Sequence, residues 1–258
     1  MGAVTAVPGV VAVGEGTALW LVATSDGHDL FKTWDTSTNS QYYEGPTIAN
    51  GILYIGNKDG ELYAYRPQPG TIIAQDTFQR PNQVHWGTAS DGDTWGGAAH
   101  SQSAFSIFNN TGQVSNGSGT YYATLGPTAT DAEVLFSGSQ SSFGKTSLGA
   151  ALRWTDTKDW YKAYFDGSQL VVEKRVNGTS TILGTAPFSA TAGTSYTLRF
   201  RVVGSTLCAK IWQTDNTEPV NWTLTITDSS LISGFCGLSM RMLSGVTDSV
   251  TSFLATIV

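Results

Sequence analysis

Apolar and polar residues alternate with a period of two over much of the second half of the chain. In the segment 196–203 every second residue is apolar, and the same alternation occurs over 148–154 and 222–227. A period of two with one apolar face is typical of strands that bury one side. Turn sequences such as Asp166-Gly167 and Asn177-Gly178 separate these strands. No segment has helical periodicity, so the pattern predicts an all-β protein built as an antiparallel two-sheet sandwich.

The first 70 residues carry a shorter, repeated pattern. Two apolar runs flank the turn Asn57-Lys58-Asp59-Gly60, which predicts a β-hairpin over 51–65. A similar sequence spans 10–20, and its Gly14 precedes Gly56 by 42 residues, a period that suits one propeller blade. One blade and an extra hairpin cannot close a ring, since propellers usually have about 4–8 blades. Either the chain was cut from a longer one, or its open edge is covered by something else.

A segment rich in proline separates the two patterns. Residues 66–70 read Arg-Pro-Gln-Pro-Gly, which ends a sheet. We therefore expect a partial propeller-type repeat with its linker over 1–70 and a sandwich domain over 71–258. Within the first part, we expect the strand at 31–34 to open the second blade.

Composition narrows the class of protein. Charged residues make up only 13% of the chain, glycines number 29, and the formal net charge is −6. Low charge with many small residues is typical of extracellular β proteins, and the acidic balance argues against nucleic acid as a partner. No apolar run approaches the length of a membrane span, and no signal peptide is visible. We expect a secreted or cell-surface protein whose leader lies upstream.

The two cysteines, Cys208 and Cys236, lack the spacing of a zinc or redox motif. They fall in two different predicted strands. They form a disulfide if those strands are neighbours, and otherwise are buried free thiols that pack as small apolar side chains. The sequence leaves both alternatives open.

Several sequence segments point to a known family. They are residues 76–78, 86–95, 161–164, 196–203, 218–222, 228–231 and 237–238. Through them, the chain from Asp76 onward resembles the concanavalin A-like (LamG-like) jelly-roll domains of secreted bacterial proteins. Through residues 53–56 and 59–64, the first part resembles a quinoprotein-type (PQQ-like) propeller repeat.

These resemblances imply a jelly roll preceded by a partial β-propeller blade. They imply no bound quinone, because that cofactor would need the complete ring. Jelly-roll relatives often end in a strand that carries aspartates, whereas here residues 251–255 read Thr-Ser-Phe-Leu-Ala. The sequence therefore does not support the calcium site that chain ends build in such relatives. We expect no cofactor and no metal site, with calcium as the open alternative.

The pattern of acidic residues and histidines does not predict catalysis. Glycosidases need two carboxylates flanking the sugar, and sandwich-fold glucanases, by resemblance, carry them as Glu-x-Asp-x-x-Glu on one strand. No such run exists here, and His28, His85 and His100 lack metal-ligand spacing. We therefore predict that the protein is not an enzyme.

Basic and aromatic residues share the strand faces opposite the apolar sets. Flat rings stack on sugars and cationic groups donate to hydroxyls or carboxylates, so this mixture predicts glycan binding. The predicted ligand-binding residues are Arg153, Lys162, Tyr164, Arg199, Arg201, Lys210, Trp212 and Arg241. The alternative is that the rings fill the core and the bases only keep the sheets soluble. Four other tryptophans are assigned to the core: Trp86, Trp95, Trp154 and Trp222.

Three functions follow from these observations. The first is an extracellular, non-catalytic carbohydrate-binding or adhesion module whose partner is a polysaccharide or glycan. The second is a structural subunit of a surface or filament assembly, in which other copies add strands to the open edges. The third is a sugar hydrolase or lyase on a jelly-roll fold.

Overall fold

The computed structural model describes residues 4–7, 10–24, 29–36, 40–42, 45–49, 52–65 and 70–258. The chain divides into two compact units, Met1–Gln68 and Pro69–Val258. The linker predicted at 66–70 lies outside the described residues, apart from Gly70. Each unit is described by itself.

The described residues of the first unit form two small antiparallel sheets. Its strands are β1 (Val4–Val7), β2 (Val10–Glu15), β3 (Ala18–Ala23), β4 (Asp29–Trp34), β5 (Thr47–Ala49), β6 (Ile52–Gly56) and β7 (Leu62–Tyr65). β1 to β4 form one sheet in sequence order, and β5 to β7 form the other. The predicted hairpin is confirmed as β6–β7, and the positive φ of Gly60 in its turn favours glycine there.

One strand of the first unit differs from the sequence prediction. The segment 31–34 belongs to β4, which completes the first sheet and does not open the second. Trp20 of β3 lies opposite Lys32, whose ammonium is 3.7 Å from the centre of the Trp20 ring. Gly14 and Gly56 lie in the second strand of their respective sheets, so these two residues, one repeat apart in the sequence, occupy equivalent strands. The assignment of the unit as a PQQ-like repeat stays a prediction.

The second unit is an antiparallel two-sheet sandwich, as predicted. One sheet has seven strands: β10 (Gly96–Gly97), β13 (Gly119–Ala129), β22 (Gly234–Met242), β15 (Ser147–Asp156), β16 (Asp159–Phe165), β17 (Gln169–Val176) and β18 (Thr179–Pro187), in that spatial order. The other has nine: β21 (Leu224–Thr227), β20 (Thr206–Gln213), β19 (Tyr196–Val203), β14 (Ala132–Gln140), β23 (Thr247–Ile257), β12 (Thr111–Ser115), β11 (Phe105–Phe108) and β9 (Gln83–Val84), with β8 (Ile72–Asp76) also paired to β23. The helix α1 (Ala98–Ser101) is a single turn, and no helix of the described residues has the length and apolar character to span a membrane.

Alternate residues of both sheets meet in one hydrophobic core. Leu148, Ala150 and Leu152 of β15 face Leu198 and Phe200 of β19 across that core, which explains the period of two in the sequence. Burial of a leucine or phenylalanine side chain in such a core contributes about 1.5–3 kcal/mol.

Two of the four tryptophans assigned to the core lie there. Trp86 and Trp95 are fully buried, whereas Trp154 and Trp222 are only half-buried. Trp154 follows a β-bulge in β15, and it lies opposite Phe235 with its ring 6.1 Å from that of Tyr122, on the outer face of the sheet. Because a bulge adds one residue to the strand, strict alternation assigns the wrong face to every residue beyond it.

Both cysteines are free thiols, so the disulfide alternative is wrong. Cys208 lies in β20 of the nine-stranded sheet, where its sulfur is 3.8 Å from the hydroxyl of Thr225. Cys236 lies in β22 of the seven-stranded sheet and packs in the core. Their strands belong to different sheets, so the condition for pairing is not met.

Candidate functional site

The outer face of the seven-stranded sheet carries a groove with a cavity volume of about 350 Å³. Rings, hydroxyl groups and charged groups all line it. The lining residues are Thr120, Tyr122, Lys145, Thr146, Ser147, Thr157, Trp160, Lys162, Tyr164, Asp166, Glu173, Arg175, Ser180 and Arg241. The volume lies at the lower end of the range for ligand pockets, about 300–1,000 Å³.

Small residues make room for large side chains on this outer face. Tyr122 of β13 is in register with Ser239 of β22, and Lys162 of β16 is in register with Ala151 of β15. Ser239 and Ala151 point away from the core, yet each is only 1% exposed. The larger neighbouring side chains therefore cover the centre of the sheet and form the floor of the groove.

Lys162 lies at the centre of this floor. Its ammonium is 4.3 Å from the ring centre of Tyr164 and 4.9 Å from that of Trp160, the two residues that share its face of β16. Glu173, directly opposite on β17, places a carboxylate oxygen 3.4 Å from the ammonium. Burial lowers the pKa of Lys162, while the Glu173 carboxylate opposes this shift. The arrangement holds a cation and an anion side by side between two rings.

Two tyrosines supply neutral hydroxyl groups to the groove. Burial, reinforced by the carboxylate of Glu173, raises the pKa of Tyr164 to about 12. Burial also raises the pKa of Tyr122 to about 12, although a hydrogen bond with Ser239 opposes the shift. Both phenols therefore keep their protons at neutral pH and can donate as well as accept hydrogen bonds.

The second carboxylate of the groove is engaged in its own turn. Asp166 accepts hydrogen bonds from the backbone N–H of Ser168 at 3.0 Å and from that of Gln169 at 3.1 Å. Burial opposes ionisation of this carboxyl, but these hydrogen bonds outweigh it and lower the pKa of Asp166. Asp166 therefore stays ionised at neutral pH and lacks the raised pKa of a general acid.

Only three of the eight predicted ligand-binding residues line the groove: Lys162, Tyr164 and Arg241. Arg199 and Arg201 lie on β19, and Lys210 and Trp212 on β20, in the nine-stranded sheet. The outer faces of two packed sheets point in opposite directions. The single binding face expected from the sequence is therefore two separate surfaces.

The cations on the nine-stranded sheet are paired with carboxylates. Arg199 and Arg201 contact Glu133 at 3.0 and 2.8 Å. Lys210 lies 2.7 Å from Glu218, which is also 3.1 Å from Arg199. These contacts neutralise much of the positive charge of that face.

The segment that contains Glu218 also covers this part of the sheet. The Lys210 ammonium donates to the carbonyl oxygen of Pro219 at 2.7 Å. Arg201 and Lys210 lie 5.2 and 4.8 Å from the ring centre of Trp222. We conclude that these cations hold the segment 218–222 against the sheet, which leaves them less free to contact a ligand.

Arg153 lies on neither surface. It sits at the bulge of β15 with φ of 48° and is 3% exposed. Its guanidinium donates to the carbonyl oxygens of Thr130, Leu231 and Gly204. With its donors used in this way, Arg153 joins three loops, which argues for a structural role.

Three residues that shape the groove were not predicted from the sequence: Tyr122, Glu173 and Arg175. Trp160 lies on the same face of β16 as Lys162 and Tyr164, where the alternation of the sequence places it. Glu173 and Arg175 likewise share one face of β17. Tyr122 comes from β13, far away in the sequence, and only the pairing of β13 with β22 brings it to the groove.

A metal centre is not indicated by the residues that the structure describes. Among them, no group of three or more His, Cys, Asp or Glu side chains is placed to hold a metal ion.

Comparisons with known proteins show a likeness of fold. No family model and no curated protein matches the chain. Among solved structures it is similar to xylan β-1,4-xylosidase from Bacillus halodurans C-125, with 15% identity and a TM-score of 0.51 over 98% of this chain and 64% of that chain. It is similar to the GH43 protein BlXynB from Bacillus licheniformis, with 12% identity and a TM-score of 0.52 over 99% of this chain and 64% of that chain. The carbohydrate-binding module CBM66 from Bacillus subtilis matches with 13% identity and a TM-score of 0.49, over 74% of this chain and 99% of that module.

The chain thus spans less than two thirds of the length of the two longer proteins. Identities of this size show a shared fold and no more. The fold is all-β and is built from antiparallel sheets, with the sandwich as its larger unit.

Proposed function

We propose that this protein is a non-catalytic carbohydrate-binding module and that the groove on the seven-stranded sheet binds the glycan. The observation that carries the proposal is the lining of that groove, where two neutral tyrosines and a Lys–Glu pair lie among five threonine and serine residues. Sugars present many hydroxyl groups, which need donors and acceptors, and apolar ring faces, which pack on aromatic rings.

The groove offers both kinds of contact at once. Tyr164 is half-buried, so part of its ring remains open to a sugar. Lys162 and Glu173 are fixed by each other and can respectively donate to and accept from neighbouring sugar hydroxyls. Because these groups are already ordered, binding costs little side-chain entropy.

Catalysis has weaker support. A glycosidase needs one carboxyl that is protonated at working pH, and the hydrogen bonds of Asp166 hold its pKa low. Glu173 is held by Lys162. Secretion, adhesion and self-association through open strand edges stay predictions.

Affinity electrophoresis of the full chain against neutral and acidic polysaccharides tests the proposal. We expect retardation by at least one polysaccharide, and a loss of roughly 2-fold to 10-fold in affinity for Tyr164→Ala, since an aromatic ring contact is worth about 0.5–1.5 kcal/mol. The control is Trp222→Ala, an aromatic truncation in the segment 218–222 that covers the nine-stranded sheet; this variant should bind as the wild type does.

Three outcomes would contradict the proposal. Equal loss in both variants, with circular dichroism showing that both are folded, would place binding elsewhere. No retardation by any polysaccharide would overturn glycan binding. Release of sugar products that disappears in Glu173→Gln would show that the module is an enzyme.

A further inference from the structure

The groove carries more positive than negative charge, although the whole chain is acidic. Four cations line it, Lys145, Lys162, Arg175 and Arg241, against the two carboxylates described above. The formal net charge of the chain is −6. A local excess of cations on an acidic protein marks a place where an anion is favoured over the rest of the surface.

The carboxylates of the groove do not neutralise all four cations. Glu173 pairs with Lys162, and Asp166 is bound by its own turn. Arg175 uses its Nε to donate to the carbonyl oxygen of Gly178 at 3.0 Å. Lys145 and Arg241 form none of the ion pairs between described residues.

Arg241 has the best geometry for an anion. It is exposed on β22, and its neighbours in register are Thr120 of β13 and Ser147 of β15, one on each side. Its charge also acts on Lys162 and Tyr164, so it lies close to the floor of the groove. A planar guanidinium forms two parallel hydrogen bonds with a carboxylate, and flanking hydroxyls can donate to the same oxygens.

We propose that the ligand is an anionic glycan that contains uronic acids, and that Arg241 binds a sugar carboxylate while Lys162, Glu173 and Tyr164 contact the sugar ring and its hydroxyls. This inference rests on the proposed function and specifies its ligand. The matching cations on the other sheet are excluded as the carboxylate site, because Glu133 and Glu218 already occupy Arg199, Arg201 and Lys210.

The experiment uses three uronic-acid polysaccharides, namely polygalacturonate, alginate and glucuronan, each beside its carboxyl-reduced counterpart. Isothermal titration calorimetry of the full chain should detect binding to at least one acidic polymer and roughly 10-fold to 100-fold weaker binding to its reduced form, as expected for loss of a charged hydrogen-bonded pair. Arg241→Gln should reduce the affinity for the acidic polymer by a similar factor, and Arg241→Lys should lie between. Lys58→Gln, which removes one exposed cation from the first unit, is the charge-matched control and should change nothing.

The outcomes separate the inference from the proposed function. Equal affinity for acidic and reduced polymers, unchanged in Arg241→Gln, would overturn the inference and leave glycan binding in place. Binding to neutral polysaccharides only would do the same, and no binding to any polysaccharide would overturn both. Dextran sulfate, a polyanion without carboxylates, tests for unspecific attraction. If it binds as tightly as the acidic polymers, and if this binding is lost at raised salt and unchanged in Arg241→Gln, the inference is also overturned. If Arg241→Gln does not fold, the comparison with the carboxyl-reduced polymers and the Arg241→Lys variant still test the inference.

Discussion

Replacing Asp248 by asparagine is expected to stabilise the sandwich at neutral and alkaline pH. Asp248 lies in β23 opposite Gln140 of β14, and it is 0% exposed. Its Oδ1 accepts a hydrogen bond from the Gln140 amide at 2.8 Å. Its Oδ2 and the amide oxygen of Gln140 have no hydrogen-bond partner among the described residues. Burial therefore raises the pKa of Asp248 to about 7, and the Gln140 hydrogen bond opposes this only in part.

The raised pKa determines how stability depends on pH. Below the unfolded pKa of 3.8, the carboxyl is protonated in both states and its favourable contribution is fully present. As pH rises towards about 7, the unfolded chain releases the proton while the folded protein keeps it, so stability falls. Above that value both states are ionised and the loss is complete. A shift of this size, at about 1.4 kcal/mol per unit, corresponds to about 4 kcal/mol.

Asparagine has nearly the same shape and carries no charge. The side-chain NH₂ of the new asparagine can donate to the amide oxygen of Gln140, which lacks a partner in the wild type. The NH₂ of Gln140 still donates to the side-chain oxygen of the asparagine. We therefore expect Asp248→Asn to raise the free energy of unfolding by about 2–4 kcal/mol at about pH 8, and by much less at about pH 4. For a domain of this size, that gain corresponds to a rise in Tm of roughly 5–15 °C.

Urea unfolding of the wild type and variant across that pH range, followed by tryptophan fluorescence, measures the difference. Other carboxylates also titrate, so only the difference between the two proteins isolates Asp248. The control is Asp76→Asn, the same replacement at a carboxylate that is 1% exposed but well paired. Asp76 accepts two hydrogen bonds from Arg80, at 2.8 and 2.9 Å, and one from the indole N–H of Trp95 at 2.6 Å. Its replacement should destabilise the protein by about 3–5 kcal/mol.

The opposite signs of the two replacements test the reasoning. If Asp248→Asn were less stable than the wild type at about pH 8, burial without partners would not be the dominant effect at this site. A difference between wild type and variant that stays constant across the pH range would show that Asp248 does not titrate as its burial implies.

Two further predictions concern residues that the structure reassigns. Arg153→Met should lower the free energy of unfolding by about 3 kcal/mol or more, because it leaves the carbonyl oxygens of Thr130, Leu231 and Gly204 without their donor. Denaturant unfolding measures this difference. An unchanged unfolding midpoint would show that Arg153 does not join the loops. Both cysteines should resist a thiol reagent in the native protein and react fully after denaturation without reductant, since burial raises the pKa of Cys236 to about 12 and also raises that of Cys208. If the denatured, unreduced protein had no free thiols, Cys208 and Cys236 would have to form a disulfide.

Much of the fold could be predicted from local pattern. The alternation in β15 and β19 identified strands with one buried face, because side chains alternate between two sides wherever a strand is regular. The turn from Asn57 to Gly60 predicted the β6–β7 hairpin because its conformation requires a residue that tolerates positive φ. Each of these signals involves residues only a few positions apart in the chain, so it can be detected without knowledge of tertiary contacts.

The candidate site could be predicted only in part. Alternation places Lys162 and Arg201 alike on an outward face, but it does not say to which sheet each strand belongs. Strand pairing within each sheet put Lys162 beside Glu173 in a groove and Arg201 beside Glu133 under a covering segment. Identical local patterns therefore ended in different environments.

The sequence by itself determined that this chain is an antiparallel β protein and which side of most strands is apolar. Only the tertiary structure decided that Trp154 turns outward, that Cys208 and Cys236 lie in different sheets, and that Tyr122 joins Lys162 in one groove. The physical reason is the range of the interactions. Strand propensity and alternation act between near neighbours, whereas bulges, strand order and ion pairing depend on partners that are distant in the chain.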